Sequence, residues 1–170
     1  MPATEQAAAA AVVAFAFGTP NTLRSNRHIA ALASAKALAL RAPIYTQHDV
    51  LPVAAGIEIE LTVELPPERV PTLRIARGAV AFARRRGIAT LWLCAATPHL
   101  PRCRRDLSFA IREAAGEITL REVEDPERHA DDFWFCADST QADTRSASLW
   151  RVRDAVLMHM PMRLYASIAG

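Results

Sequence analysis

AVVAFAFGTPN, residues 11–21, decides how the whole chain is read. With the alanines before it, the stretch AAAAAVVAFAF (7–17) has the outline of the apolar core of a secretory leader. It has no basic start, Glu5 precedes it, and Gly18-Thr19-Pro20-Asn21 closes it without a small-residue cleavage pattern. It is also too short to cross a bilayer, which takes about 20 residues. A continuous apolar run stopped by glycine is what a strand covered on both faces requires, because neither side meets water. Residues 11–17 are therefore read as the first strand.

The remaining segments fit that choice. LRSNRHIAALASAKALALR belongs to a helix over 22–41, rich enough in alanine to pack closely on a sheet. Asn21 or Thr22 is its expected cap, and Pro43 ends it by disfavouring helical geometry at Ala42. APIYTQH (42–48) reads as a short strand. GIEIELTVEL (56–65) alternates apolar and acidic residues, as a half-exposed strand does, and Pro66-Pro67 closes it. The helix over 71–86 carries Leu73, Ala76, Val80 and Ala83 on one arc and Arg74, Arg77, Arg84 and Arg85 on the next. Gly87 breaks it, and 88–94 supplies another buried strand. There follow a helix over about 100–115, a strand at 118–124, and an acidic loop at 122–132. FWFCA (133–137) reads as a further strand or a buried turn, and a helical tail runs from about 146.

Alternating strands and helices predict an α/β fold. The expectation is one three-layer, Rossmann-like domain over 1–170 with a mainly parallel central sheet. Right-handed crossovers bring the strand carboxyl ends to one edge, where ligands bind. Gly18–Asn21, Gln47-His48-Asp49 and Thr97-Pro98-His99 should meet there.

Composition works by exclusion. A formal net charge of +2 over 170 residues predicts no nucleic acid and no membrane surface as partner. Cys94, Cys103 and Cys136 lack CxxC and CxH spacing, which speaks against a disulfide framework and a zinc site and suits a reducing cytoplasm. His28, His129 and His159 read as surface or packing residues, and Asp131, Asp132 and Asp138 as a solvated face, so no metal is expected. The first loop lacks GxGxxG and Walker spacing, and no G-x-S-x-G elbow occurs. No cofactor is assigned.

CAATPHLPRCRRDL (94–107) is the strongest candidate site. His99 is the candidate general acid or base, and Arg102 an anion clamp. A guanidinium in a first helical turn opposes the dipole, so an anion beside it is attractive; Arg27 shares that feature. Gly18, Thr19 and Asn21 sit on a strand-to-helix loop whose N–H groups can cradle a phosphate, and Thr97 adds a hydroxyl. The plainer alternative is a turn stiffened by Pro98 and Pro101, with Arg102 exposed beside it.

Three stretches together resemble the domain of unknown function shared by the SanA, YdcF and ElyC proteins. They are His99-Leu100-Pro101-Arg102 after an apolar strand, the opening strand with Gly18 and a following helix bearing Arg27, and the closing segment SASLWRVRDAVLMHMPMRLYASIAG. Ala95-Ala96 stand where that family has Thr-Ser, Gln47-His48-Asp49 where it has Ser-Gly-Gly, and Asp154 where it has a tail glutamate. Of its T-x-E-N-A motif, Thr72 and Ala76 remain, with Arg74-Ile75 at the centre. Two readings stand open. One is a protein binding a small anionic, nucleotide-like ligand, including a transferase or hydrolase acting at phosphate. The other is a relative without catalysis that serves as a binding module and forms a homodimer through its tail.

Overall fold

The computed structural model describes residues 9–51, 55–64 and 69–169. In chain order the elements are β1 (Ala10–Ala14), α1 (Arg24–Leu40), β2 (Ile44–Thr46), β3 (Ile59–Leu61), α2 (Thr72–Arg85), β4 (Thr90–Cys94), α3 (Leu100–Glu113), β5 (Thr119–Glu122), α4 (Asp131–Trp134), a 3-10 turn (Ala142–Thr144), α5 (Ala147–His159) and α6 (Met162–Ala169). The five strands form one sheet in the order β3-β2-β1-β4-β5, with every pairing parallel.

β1 lies at the centre, and its alternate side chains leave on opposite faces. Ala11, Val13 and Phe15 enter one core with Ala76, Ala79 and Val80 of α2 and Leu107 and Ala110 of α3. Val12, Ala14 and Phe17 enter the other with Ile29, Ala30, Ala33 and Ala37 of α1. Burial on both faces explains the unbroken apolar run, and the chain is a three-layer α/β domain. The acidic alternation around β3 has a different cause. Glu58 pairs with Arg86 and Glu60 with Arg85 at the end of α2, so this edge strand is matched to the basic face of the helix.

The structure revises or sharpens the sequence expectation in three places. α1 begins at Arg24, with Leu23 in the cap position and no side-chain cap. Asn21 and Thr22 are exposed, and the loop is instead tied down from inside the helix. Asn26 Oδ1 accepts the Phe17 N–H at 2.9 Å, Asn26 Nδ2 donates to the Gly18 carbonyl at 2.9 Å, and Ser25 Oγ donates to the Phe17 carbonyl at 2.9 Å. Of the strand and the buried turn expected for FWFCA, the turn is what forms. Asp131–Trp134 is a helical turn that drives Trp134 into the core of α1. The strand expected over 56–65 is regular only at Ile59–Leu61, and its last residue lies outside the described residues.

The tail folds back against α3, from the loop before it to its middle. α5 is capped by Ser146, whose Oγ accepts the Leu149 N–H. Trp150 joins the α1 core beside Phe17, with ring centroids 4.7 Å apart. In α6, Tyr165 packs on Leu73, and its hydroxyl donates to the buried Asp106 Oδ2 at 2.6 Å. Among the described residues no helix is long and apolar enough to cross a membrane.

Candidate functional site

From β1 the chain order runs one way to β2 and β3 and the other way to β4 and β5. At such a switch point the loops part and leave a crevice at the strand carboxyl ends. A cavity of about 60 Å³ lies there. Phe17 and Gly18 reach it after β1, Gln47 and Asp49 after β2, and His99 and Arg102 at the start of α3, while Arg69 and Arg153 close it from outside the sheet.

His99 is buried among Phe15, Phe17 and Trp150, at centroid distances of 6.3, 6.0 and 5.1 Å. Its Nε2 lies 3.2 Å from Arg102 Nη2 and 3.3 Å from Thr72 Oγ1. A guanidinium only donates, so Nε2 is the accepting lone pair and the proton sits on Nδ1. Burial, then the charges of Arg102 and Arg153, pushes the imidazole well below the ordinary histidine range; the Ala16 carbonyl opposes this, and Arg69 adds a smaller push. His99 is therefore neutral at neutral pH.

Arg102 is buried, not exposed as the plainer turn reading had it, because α5 covers it. Its guanidinium lies 4.7 Å from the centroid of the Trp150 ring. Its Nε is 3.4 Å from Asp154 Oδ1, an ion pair outside hydrogen-bond geometry that leaves both atoms without a hydrogen-bond partner among the described residues. Burial raises the Asp154 carboxyl despite the neighbouring arginines. Arg69 and Arg153 converge on one oxygen, Asp143 Oδ2, at 2.7 and 2.9 Å. Burial disfavours the Asp143 carboxylate, but Arg69 and Arg153 outweigh it and hold the group below the usual range.

Of the residues expected from sequence, Gly18, His99 and Arg102 line this cavity together. Thr19 sits beside it, its N–H donating to Ser139 Oγ at 3.4 Å and its hydroxyl paired with Thr140. Asn21 and Arg27 are exposed and do not line it. Thr97 opens onto a neighbouring cavity between the ends of β4 and β5. Within the first loop Ser139 Oγ accepts the Thr19 N–H, and just before the loop Gln47 Oε1 accepts the Ala16 N–H and Asn26 Oδ1 the Phe17 N–H. Gly18 has φ +83°, and a Cβ there would meet Ser139 Oγ and Thr144 Oγ1 at 2.8 Å, so packing of the 139–144 segment demands the glycine. His48 turns away and donates to the Thr62 carbonyl at 3.3 Å, leaving Asp49 at the cavity.

Arg69, Arg153 and Trp150 were not anticipated at this site. A signal for two of them existed, because Trp150, Arg153, Asp154 and Leu157 are spaced to share one helical face. Arg69 stands alone in a proline-flanked connection and gave none. In comparisons with protein-family models, with curated proteins and with solved structures, the chain matches none.

Proposed function

We propose that the protein binds a small anion, a phosphate or a phosphate-bearing molecule, in the crevice between β1 and β4, as its resemblance to the SanA, YdcF and ElyC domain suggests. The observation carrying this reading is the convergence of Arg69, Arg102 and Arg153 on one cavity beside a neutral His99. Two of these guanidiniums share a single carboxylate oxygen. Clustered guanidiniums repel one another, and a multidentate oxyanion relieves that repulsion through charge-assisted hydrogen bonds. About 60 Å³ of space suits a few waters, at roughly 10–15 Å³ each, or one tetrahedral anion. In a nucleotide-like ligand only the phosphate is enclosed.

His99 enters this reading as the residue that orients Arg102. Its lone pair is engaged by the guanidinium, so hydrolysis or transfer at phosphate requires that contact to open first. The free thiols Cys94, Cys103 and Cys136 favour a reducing compartment such as the cytoplasm.

Calorimetric titration with phosphate, pyrophosphate and AMP tests the binding. Losing one charge-assisted contact costs about 1.5–3 kcal/mol, so Arg153→Ala should weaken binding roughly ten- to a hundredfold. Unchanged affinity in both Arg153→Ala and Arg69→Ala would remove the anion site.

A second reading rests on a different observation. Leu149, Val152 and Val156 of α5 and Leu164 and Ile168 of α6 are exposed, and such apolar surface marks association sites. The tail then serves as a homodimer face without catalysis. Sedimentation equilibrium should show a dimer that Val152→Asp dissociates; a monomer at every concentration excludes it.

A further inference from the structure

Away from the arginine cavity, two histidines distant in sequence are brought together. His28 stands on α1, and His129 follows the loop Asp125-Pro126-Glu127-Arg128 after β5. Their rings face edge to plane with centroids 4.6 Å apart. One nitrogen of each imidazole and one Glu127 carboxylate oxygen all lie within 4.8 Å of one another. We propose that His28, His129 and Glu127 form a binding site for a first-row divalent metal ion of the zinc type.

The donor set selects that class. Two imidazoles and a carboxylate suit zinc, cobalt or nickel, whereas calcium and magnesium take oxygen donors. Zinc bonds to nitrogen and oxygen of about 2.0–2.2 Å set tetrahedral donors roughly 3.4 Å apart, so small side-chain rotations close the set around an ion.

The surroundings are built as a metal site requires. His129 is held by stacking on Phe133, with centroids 3.6 Å apart and planes at 9°. Its Nε2 lies 2.8 Å from Glu127 Oε2, yet is buried and makes no hydrogen bond among the described residues. The two atoms are close but misaligned for a shared proton, as two donors to a third centre are. Asp125 Oδ2 lies 2.9 Å from His28 Nε2, and Asp125 Oδ1 accepts the Glu127 N–H at 3.0 Å. That carboxylate both orients the imidazole and pins the loop, the part a supporting carboxylate plays beside a ligating histidine.

Access exists as well. His129 and Asp125 line a cavity of about 770 Å³ beside the ends of β4 and β5, which leaves an approach for a further ligand on the ion. Cys94 also borders that cavity, but burial raises its thiol to about 12, so it supplies no thiolate.

The test is titration of the full chain, stripped with chelator, with Co²⁺ and then Zn²⁺. One Co²⁺ per chain should give visible d–d bands of tetrahedral intensity, and stoichiometric Zn²⁺ should abolish them. His28→Gln, His129→Gln and Glu127→Gln should each weaken Zn²⁺ binding at least tenfold in competition with a chelating indicator. Glu127 is 62% exposed, so Glu127→Gln stays folded even if a histidine variant does not. Cys136→Ser and His159→Gln should bind as the parent does. Zn²⁺ binding that survives all three ligand substitutions, or no binding below millimolar metal, overturns the site.

Discussion

Arg102 shows how much hangs on one buried charge. It touches His99, lies over Trp150 and faces Asp154 at 3.4 Å, so truncation strands a carboxylate and opens a gap beneath α5. Breaking a fully buried pair costs about 3–5 kcal/mol, and with Asp154 half-buried the cost here falls at or below the low end of that range. Arg102→Ala should therefore lower the urea midpoint measurably, whereas an arginine exposed beside a stiffened turn would give almost no change. A midpoint within error of the parent would show that Asp154 does not depend on it. His99 makes a separate prediction about pH. Its folded pKa is depressed, first by burial and then by Arg102, Arg153 and Arg69, while an unfolded histidine titrates near about 6.5. Below that value the unfolded chain binds the proton that the folded chain refuses. Stability is thus complete above pH about 6.5 and falls as pH drops, by up to about 1.4 kcal/mol per pH unit. Thermal melts between pH 7 and pH 5 should show a fall in the parent that is shallower in His99→Gln. Parallel slopes would mean that His99 is not the group responsible.

At the scale of elements, legibility tracked periodicity. β1, β4 and α2 have patterns that only one environment explains: two runs buried on both faces and one helix with an apolar arc beside a basic one. The start of α1 was obscured because its organising group, Asn26, lies inside the helix, and no local rule separates a loop-tying asparagine from a capping one. The run around Trp134 stayed ambiguous for a similar reason, since an aromatic run fits a strand as readily as a helical turn. His99 and Arg102 were legible as neighbours on one turn, but their burial was not, because it depends on α5 arriving from some fifty residues further on. Gly78 shows the same long reach. It sits in the middle of α2, where glycine weakens a helix, and a Cβ there would collide with the Tyr45 hydroxyl. That phenol is pushed up to about 12, by burial and then by Glu64 and Glu60, and stays protonated. Gly78→Ala should accordingly cost about 1–3 kcal/mol through overpacking, despite the better helix propensity of alanine. In a Tyr45→Phe background the hydroxyl is gone but the ring Cζ, 2.9 Å from the same Cβ, remains, so part of that loss should return. A double-mutant cycle with no coupling would place the strain elsewhere.

Across the whole molecule, the tail is what makes the two sheet faces and the candidate site one unit. Trp150 belongs to the core of α1, and its Nε1 donates to the Pro98 carbonyl at 3.1 Å in the loop that presents His99. Arg153 and Asp154 on the same helix supply a cavity wall and the partner of Arg102. Tyr165 then anchors α6 to α2 through Leu73 and to α3 through Asp106. A segment with so many buried ties cannot detach without exposing His99, Arg102 and Asp106 together, so local opening of the tail should approach the cost of global unfolding. Calorimetry should show a single transition whose measured and van't Hoff enthalpies agree. Trp150→Ala should cost about 3–5 kcal/mol and shift that transition as a whole, without splitting it. An early, separate transition at the tail, with residues 9–145 still melting at the parent temperature, would mean that α5 and α6 are an appendage. The arginine cavity, which they help to wall, would then be absent from the core domain on its own.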